Sequence, residues 1–144
     1  MIVLQYATFK VGENTFGVDV RVVQEVLRPH PITRVPLAPP AIAGLINLRG
    51  QVVTAVDLRQ RLGLPPNDGE RESMNVVARL GDGVVSLLVD SIGDVIEVDE
   101  ADFEAPPETL TGPSRGLVLG AYKLDSTLLL ALDVIRVADI DVAA

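Results

Sequence analysis

The sequence predicts a mainly β protein built as small barrels or a sandwich, and three observations carry that expectation. The first is composition. Of 144 residues, 48 % are hydrophobic, yet only 3 % are aromatic and none is tryptophan. The core must therefore be made of Val, Leu and Ile, and β-branched side chains suit the pleated surface of a strand. The second is punctuation: short apolar runs are repeatedly broken by Gly, Pro, Asn and Asp, the pattern of many short strands joined by turns. The third is a set of three hairpin signals spread along the chain.

Taken in order, Val3 to Val11 alternates loosely, with Val3, Gln5, Ala7 and Phe9 on one side. Gly12-Glu13-Asn14 turns the chain into a second strand, Thr15 to Val20. Val20 to Leu27 (VRVVQEVL) holds more apolar residues than one buried face requires. Adjacent Val22 and Val23 would point to opposite faces of a strand. Either the strand is buried on both sides or it leaves an apolar patch for a partner. The prolines from Pro36 to Pro40 lead into Ala41-Ile42-Ala43-Gly44, read as a short helical turn with proline in its first turn. Asp57 followed by Gln60 predicts a capped short helix that runs to Leu62 and is stopped by Gly63. Leu64 to Arg71, with Pro65, Pro66, Asn67, Asp68 and Gly69, reads as a linker. A second hairpin is expected around Gly81-Asp82-Gly83, between Asn75–Leu80 and Val84–Asp90, and another strand at Ile92 to Val98. After a loop from Ala105 to Pro113, a third hairpin pairs Leu117–Leu124 with Thr127–Asp133 across Asp125-Ser126, and a short helix covers Asp133 to Ala138. Several strands fall on each side of the linker. The expectation is one domain over 1–144 made of two packed subdomains, 1–68 and 69–144, with the first strand able to join the second barrel.

Charge and residue inventory narrow the function. Twelve basic against twenty acidic residues give a net charge of −8, which repels phosphate backbones and argues against nucleic-acid binding. No cysteine is present, so disulfides, thiolate metal sites and cysteine nucleophiles are excluded. The N-terminal MIVLQYATFK lacks the pattern of a signal peptide, and the apolar run Leu128 to Leu132 is too short to span a bilayer. A soluble intracellular chain with no membrane insertion of its own is expected.

A search for catalytic machinery finds little to build on. The one histidine, His30, lies between Pro29 and Pro31 and reads as a loop residue rather than a base or a ligand. There is no Gly-x-Ser-x-Gly elbow and no glycine-rich phosphate loop. The acidic group Glu97, Asp99, Glu100, Asp102 and Glu104 lacks the spacing of a calcium loop and reads as a solvated face. No catalytic residue, cofactor or metal is expected. A small hydrolase or ligand-binding barrel would have to bring Asp57, Asp90 and His30 into one pocket, and their scatter along the chain gives no sign of it. Arg49, in Leu45-Ile46-Asn47-Leu48-Arg49-Gly50, stands apart. A cation after an apolar run must be paired or face outward, and guanidinium groups are common at interfaces. An exposed strand-end arginine and an interface arginine are both open readings.

The run Gly44-Leu45-Ile46-Asn47-Leu48-Arg49-Gly50-Gln51-Val52-Val53, followed by Ala55-Val56-Asp57-Leu58-Arg59, resembles the signature of the CheW-like domain family. Phe16 to Val20 with Val23 to Leu27, Ile32 to Pro36, Leu87 to Ile96, and Leu119 to Ala121 with Leu129 to Asp133 are similar to the family's other segments, in the same order. Together they cover about residues 5 to 138. The resemblance implies two packed five-stranded SH3-like β-barrels with short helices. It also implies a non-enzymatic, cytoplasmic adaptor without cofactor. Such an adaptor couples the cytoplasmic hairpin tip of methyl-accepting chemoreceptors to the regulatory domain of the histidine kinase CheA, itself of this fold, and reaches membrane receptor arrays only through its partners. Contacts with other CheW-like domains are implied as well. Carried over by position, the receptor-binding residues are Val23, Glu25, Asn47, Arg49 and Gly50, with Gly44 in a structural role. The absence of kinase, phosphotransfer and receiver segments, together with the start at Met1, favours a stand-alone adaptor over a detached regulatory domain of a CheA-type kinase.

Overall fold

The computed structural model describes residues 1–66, 72–81 and 83–140. Its ten strands are β1 (Val3–Val11), β2 (Asn14–Asp19), β3 (Val23–Leu27), β4 (Ile42–Leu48), β5 (Gln51–Asp57), β6 (Met74–Leu80), β7 (Gly83–Val89), β8 (Ser91–Asp99), β9 (Val118–Lys123) and β10 (Leu128–Leu132). Three short helices accompany them: α1 (Leu58–Arg61), α2 (Pro113–Leu117) and α3 (Val134–Ala138). The strands form two five-stranded sheets, ordered β8-β1-β2-β10-β9 and β3-β6-β7-β5-β4.

The three hairpins form where the turn chemistry places them, as β1–β2, β6–β7 and β9–β10. Asp82 of the middle turn lies outside the described residues. Asp57 caps α1 by accepting the Gln60 N–H, and Asp133 caps α3 by accepting the Arg136 N–H. The Arg61 guanidinium donates to the carbonyls of Arg136 and Val137 at 2.7 and 3.0 Å, satisfying the open end of α3.

Three expectations need correction. Ala41 to Gly44 is not a helical turn: Ile42 begins β4, which finds its antiparallel partner in β5, and pairing across the sheet outweighs the proline-led start. Val20 to Val22 is a single 3₁₀ turn capped by Asp19, so β3 begins only at Val23. That turn lets both Val22 and Val23 pack against the core. Helix α2 went unforeseen, because Pro113 to Leu117 was read as loop and strand start. Strand β1 keeps its expected alternation, with Leu4 and Tyr6 in one apolar cluster and Phe9 and Val11 in the other, and the irregularity in its pairing with β8 puts the extra residue on β8.

The chain does not divide at residue 68. Strands β6 and β7 complete the sheet begun by β3 to β5, while β1 and β2 pair with β8 and β10. The expected linker includes residues 67–71, which lie outside the described residues. The physical reason is pairing: β2 lies parallel to β10 and β5 parallel to β7, and a parallel pair needs a long crossover, which runs through α1 and β6 between β5 and β7 and includes all of β3 to β7 between β2 and β10.

The two sheets repeat one design. Gly44 to Leu58 matches Gly120 to Val134 without a gap, aligning Gly44 with Gly120, Leu48 with Leu124, Ala55 with Ala131 and Asp57 with Asp133. The registers agree: Gly44 pairs with Ala55 as Gly120 does with Ala131, and each hairpin carries its irregularity at the next pair. Each sheet is drawn shut in the same way. The segment leaving β3 bridges to β4 at Thr33–Leu45, and the segment leaving β8 bridges to β9 at Glu104–Ala121. The inner faces of both sheets merge in a single apolar core that includes Phe9, Phe16, Val18, Val56, Leu87 and Leu130. No helix among the described residues is long and apolar enough to cross a membrane.

Gly120 sits where a Cβ would strike the Phe103 ring and the backbone carbonyl of Glu104, 2.5 Å away. Gly120→Ala is expected to displace the Glu104–Ala121 bridge and cost about 1–3 kcal/mol of stability, read from the urea midpoint.

Candidate functional site

The Asn-Leu-Arg-Gly segment forms the tip of the β4–β5 hairpin. Leu48 pairs with Gln51, so the loop is two residues long. Its two residues, Arg49 and Gly50, have φ of 52° and 88°, the left-handed pair that a tight hairpin of this kind demands. Asn47 holds the turn by accepting the Gly50 N–H on its side-chain oxygen at 2.9 Å. An arginine at positive φ carries a backbone cost that glycine would avoid.

The Arg49 side chain leaves the turn and forms an ion pair with Glu25 on β3. Strands β3 and β4 are the two edges of their sheet, so this pair ties one edge to the hairpin on the other. Glu25 is half-buried while Arg49 is largely exposed. The carboxylate raises the Arg49 pKa, chiefly through the hydrogen bond. Val23, at the start of the same strand, packs against the main core. Gln24 and Val26 face outward, and Gln24 accepts a 3.2 Å hydrogen bond from Arg79. Gly44 is buried at φ 152°, and a Cβ there would collide with the Thr33 carbonyl. Only glycine allows the strand beside the connecting segment. Thus Val23, Glu25, Asn47, Arg49 and Gly50 fall on β3 and the facing hairpin tip, and Gly44 seats the edge strand behind them.

Next to β3, between the sheets, lies an apolar groove of about 320 Å³. Tyr6, Val18, Val22, Leu119, Leu132 and Ile135 line it, with Asp19 and Arg79 among its polar members. Leu119 and Ile135 are 55 % and 73 % exposed, and their grouping with other apolar side chains in one groove, rather than their exposure alone, sets them apart. Burial pushes the Tyr6 hydroxyl above its ordinary pKa, helped by a hydrogen bond with Tyr122. Asp19 is held below the usual carboxylate range, first by its hydrogen bonds from the Arg21 guanidinium. Sequence reading missed this groove, because its lining comes from strands that only the fold assembles. The repeat of Gly44–Leu58 at Gly120–Val134 was the available signal.

The residues of the rival hydrolase reading are each engaged elsewhere. Asp57 caps α1 and lines a depression with Arg34 and Pro39. Asp90 pairs with Arg59. His30 contacts the Arg28 carbonyl in a different depression beside Glu72 and Asn75. In the acidic segment, Asp99 caps the turn Glu100–Asp102 and Glu104 lies 3.7 Å from the Lys123 ammonium. Among the described residues, no group of three or more His, Asp or Glu side chains is placed to hold a metal ion.

The family model described as CheW-like domain matches residues 5–141. The chain belongs to the CheW-like family. A chemotaxis protein CheW of Bacillus subtilis (strain 168) is 33 % identical over 91 % of this chain and 84 % of its own length. One from Treponema pallidum (strain Nichols) is 27 % identical over 90 % and 79 %. The crystal structure of the scaffolding protein TtCheW from Thermoanaerobacter tengcongensis superposes with a TM-score of 0.87 at 27 % identity, covering 99 % of this chain and 97 % of that one. Membership of the CheW-like family makes this a coupling or scaffolding chain of chemotaxis signalling.

Asp19 gives the groove region a pH dependence. Its folded pKa lies below the ordinary 3.8, so its stabilising effect is present above that value and is lost as pH falls through the lower folded one. Arg21 is well exposed, so solvent screening keeps the effect small. Asp19→Asn is expected to lower the melting temperature slightly at pH 7, with the difference from the parent chain shrinking as pH falls below 3.8, checked by calorimetry across that range.

Proposed function

We propose that this chain is a non-enzymatic cytoplasmic adaptor that couples the hairpin tip of methyl-accepting chemoreceptors to the regulatory domain of the histidine kinase CheA. The carrying observation is the Arg49–Glu25 pair, which fastens the hairpin tip to β3; the apolar groove opens at the start of that strand, where Val22 lines it. A helical hairpin presents an apolar stripe flanked by charges, and a groove with a polar rim receives such a stripe. Val23, Glu25, Asn47, Arg49 and Gly50 form the receptor-facing side. The kinase and other CheW-like domains bind away from it, on the ends of the barrels. The chain works by binding alone and reaches the membrane through its receptors.

Arg49 serves this reading by shaping the surface, since its charge is already engaged by Glu25. Arg49→Ala is expected to weaken binding of a purified cytoplasmic receptor fragment by about tenfold while leaving binding of the CheA regulatory domain unchanged, both measured by isothermal titration calorimetry. The double exchange Glu25→Arg with Arg49→Glu separates shape from contact. Recovered receptor binding means that the pair acts through geometry, and continued loss means that a receptor carboxylate is the partner. A wild-type chain that binds neither fragment overturns the adaptor reading.

A further inference from the structure

The repeated design gives the molecule two sheet–sheet junctions, and the chain treats them differently. At one, Arg59 of α1 grips Asp90 through two hydrogen bonds of 2.9 and 2.6 Å. Asp90 also accepts the Gly12 N–H at 2.8 Å. Arg59 follows β5 of one sheet, Gly12 turns β1 into β2 of the other, and Asp90 stands where the chain crosses from β7 to β8. Arg59 also donates to the Pro65 carbonyl at 2.9 Å, and the Asp90 N–H donates to the Lys10 carbonyl at 2.9 Å. The ion pair is mostly withdrawn from solvent, with side chains 22 % and 16 % exposed.

The register identifies the corresponding residues at the other junction. Aligning the β9–β10 hairpin on β4–β5 puts Ile135 in the place of Arg59. Aligning β1–β2 on β6–β7 puts Gly12 on Gly81 and Arg21 on Asp90. An isoleucine cannot pair with an arginine, and Arg21 is held by Asp19 instead. With neither half of the clamp present, this junction stays open, and it is the apolar groove that includes Gly81 and Ile135 in its lining.

We infer that the Arg59–Asp90–Gly12 clamp is a positioning device for binding at the opposite junction: by locking one side of the sheet pair, it sets the width of the groove on the other. Two sheets that share one apolar core keep some freedom to rock about it, because apolar contact is not directional. A forked, partly buried ion pair with defined hydrogen bonds removes that freedom. Arg59 and Asp90 therefore affect a partner that they do not touch. The inference rests on the groove being the receptor side, as proposed above.

The absence of cysteine makes a direct test available. Cysteines introduced at Val52 on β5 and Lys123 on β9, both exposed, carry spin labels whose separation is read by double electron–electron resonance. Binding of the receptor fragment is measured on the unlabelled chain. Asp90→Asn, or the milder Arg59→Lys should the first fail to fold, is expected to broaden the distance distribution and to lower receptor affinity by about tenfold. The exchange Arg59→Asp with Asp90→Arg is expected to recover part of both. An unchanged distance distribution overturns the inference, and so does a broadened one with unchanged affinity. If the wild-type chain binds no receptor fragment, the adaptor reading fails. The distance measurement still decides whether the clamp fixes the sheets.

Discussion

Asp90 stands at the one place where the chain passes directly from the last strand of one sheet to the edge strand of the other. Its carboxylate accepts the Arg59 fork and the Gly12 amide together, so three segments distant in sequence meet at one side chain. The apolar core beneath supplies most of the driving force for bringing the sheets together. That force says little about the angle at which they meet. The hydrogen-bonded ion pair adds direction, and replacing only one partner would leave a largely buried charge without its counterion. The relative placement of hairpin tip, β3 and groove depends on this crossing.

Internal duplication explains why the molecule has two junctions and why only one needs a polar lock. Both sheets share the same strand pairing, the same aspartate-capped helix after the central hairpin, and the same glycine where a connecting segment crosses the edge strand. Conserving the architecture while exchanging Arg for Ile and Asp for Arg turns one joint into a strut and the other into an apolar cleft. The cleft leaves Leu119 and Ile135 in solvent, and an exposed apolar patch rimmed by polar residues is the kind of surface that marks a partner site. The turn at Arg49 follows similar logic: a positive φ that glycine would take more cheaply is kept by a residue whose side chain pairs across the sheet edges.

Much of this could be read from sequence because it is local. Turn residues marked the three hairpins, Asp57 and Asp133 marked their helices, and aliphatic composition marked the class. The Asn-Leu-Arg-Gly run, with its neighbours in order, pointed to the CheW-like family, and the family match over residues 5–141 agrees. Ile42 was misread because its partner strand lies beyond a turn and outweighs the local proline signal.

The sequence by itself determined the β class, the turn positions, the helix caps and the family, since each is set by interactions among residues close in the chain or by an ordered motif. Only the tertiary structure decided that the first hairpin completes the sheet of the last, that Arg49 meets Glu25, and that Arg59 meets Asp90 across from an open groove. Those contacts join residues far apart in the chain, and they follow from which strand edges pair and which apolar faces merge. No single segment carries that information.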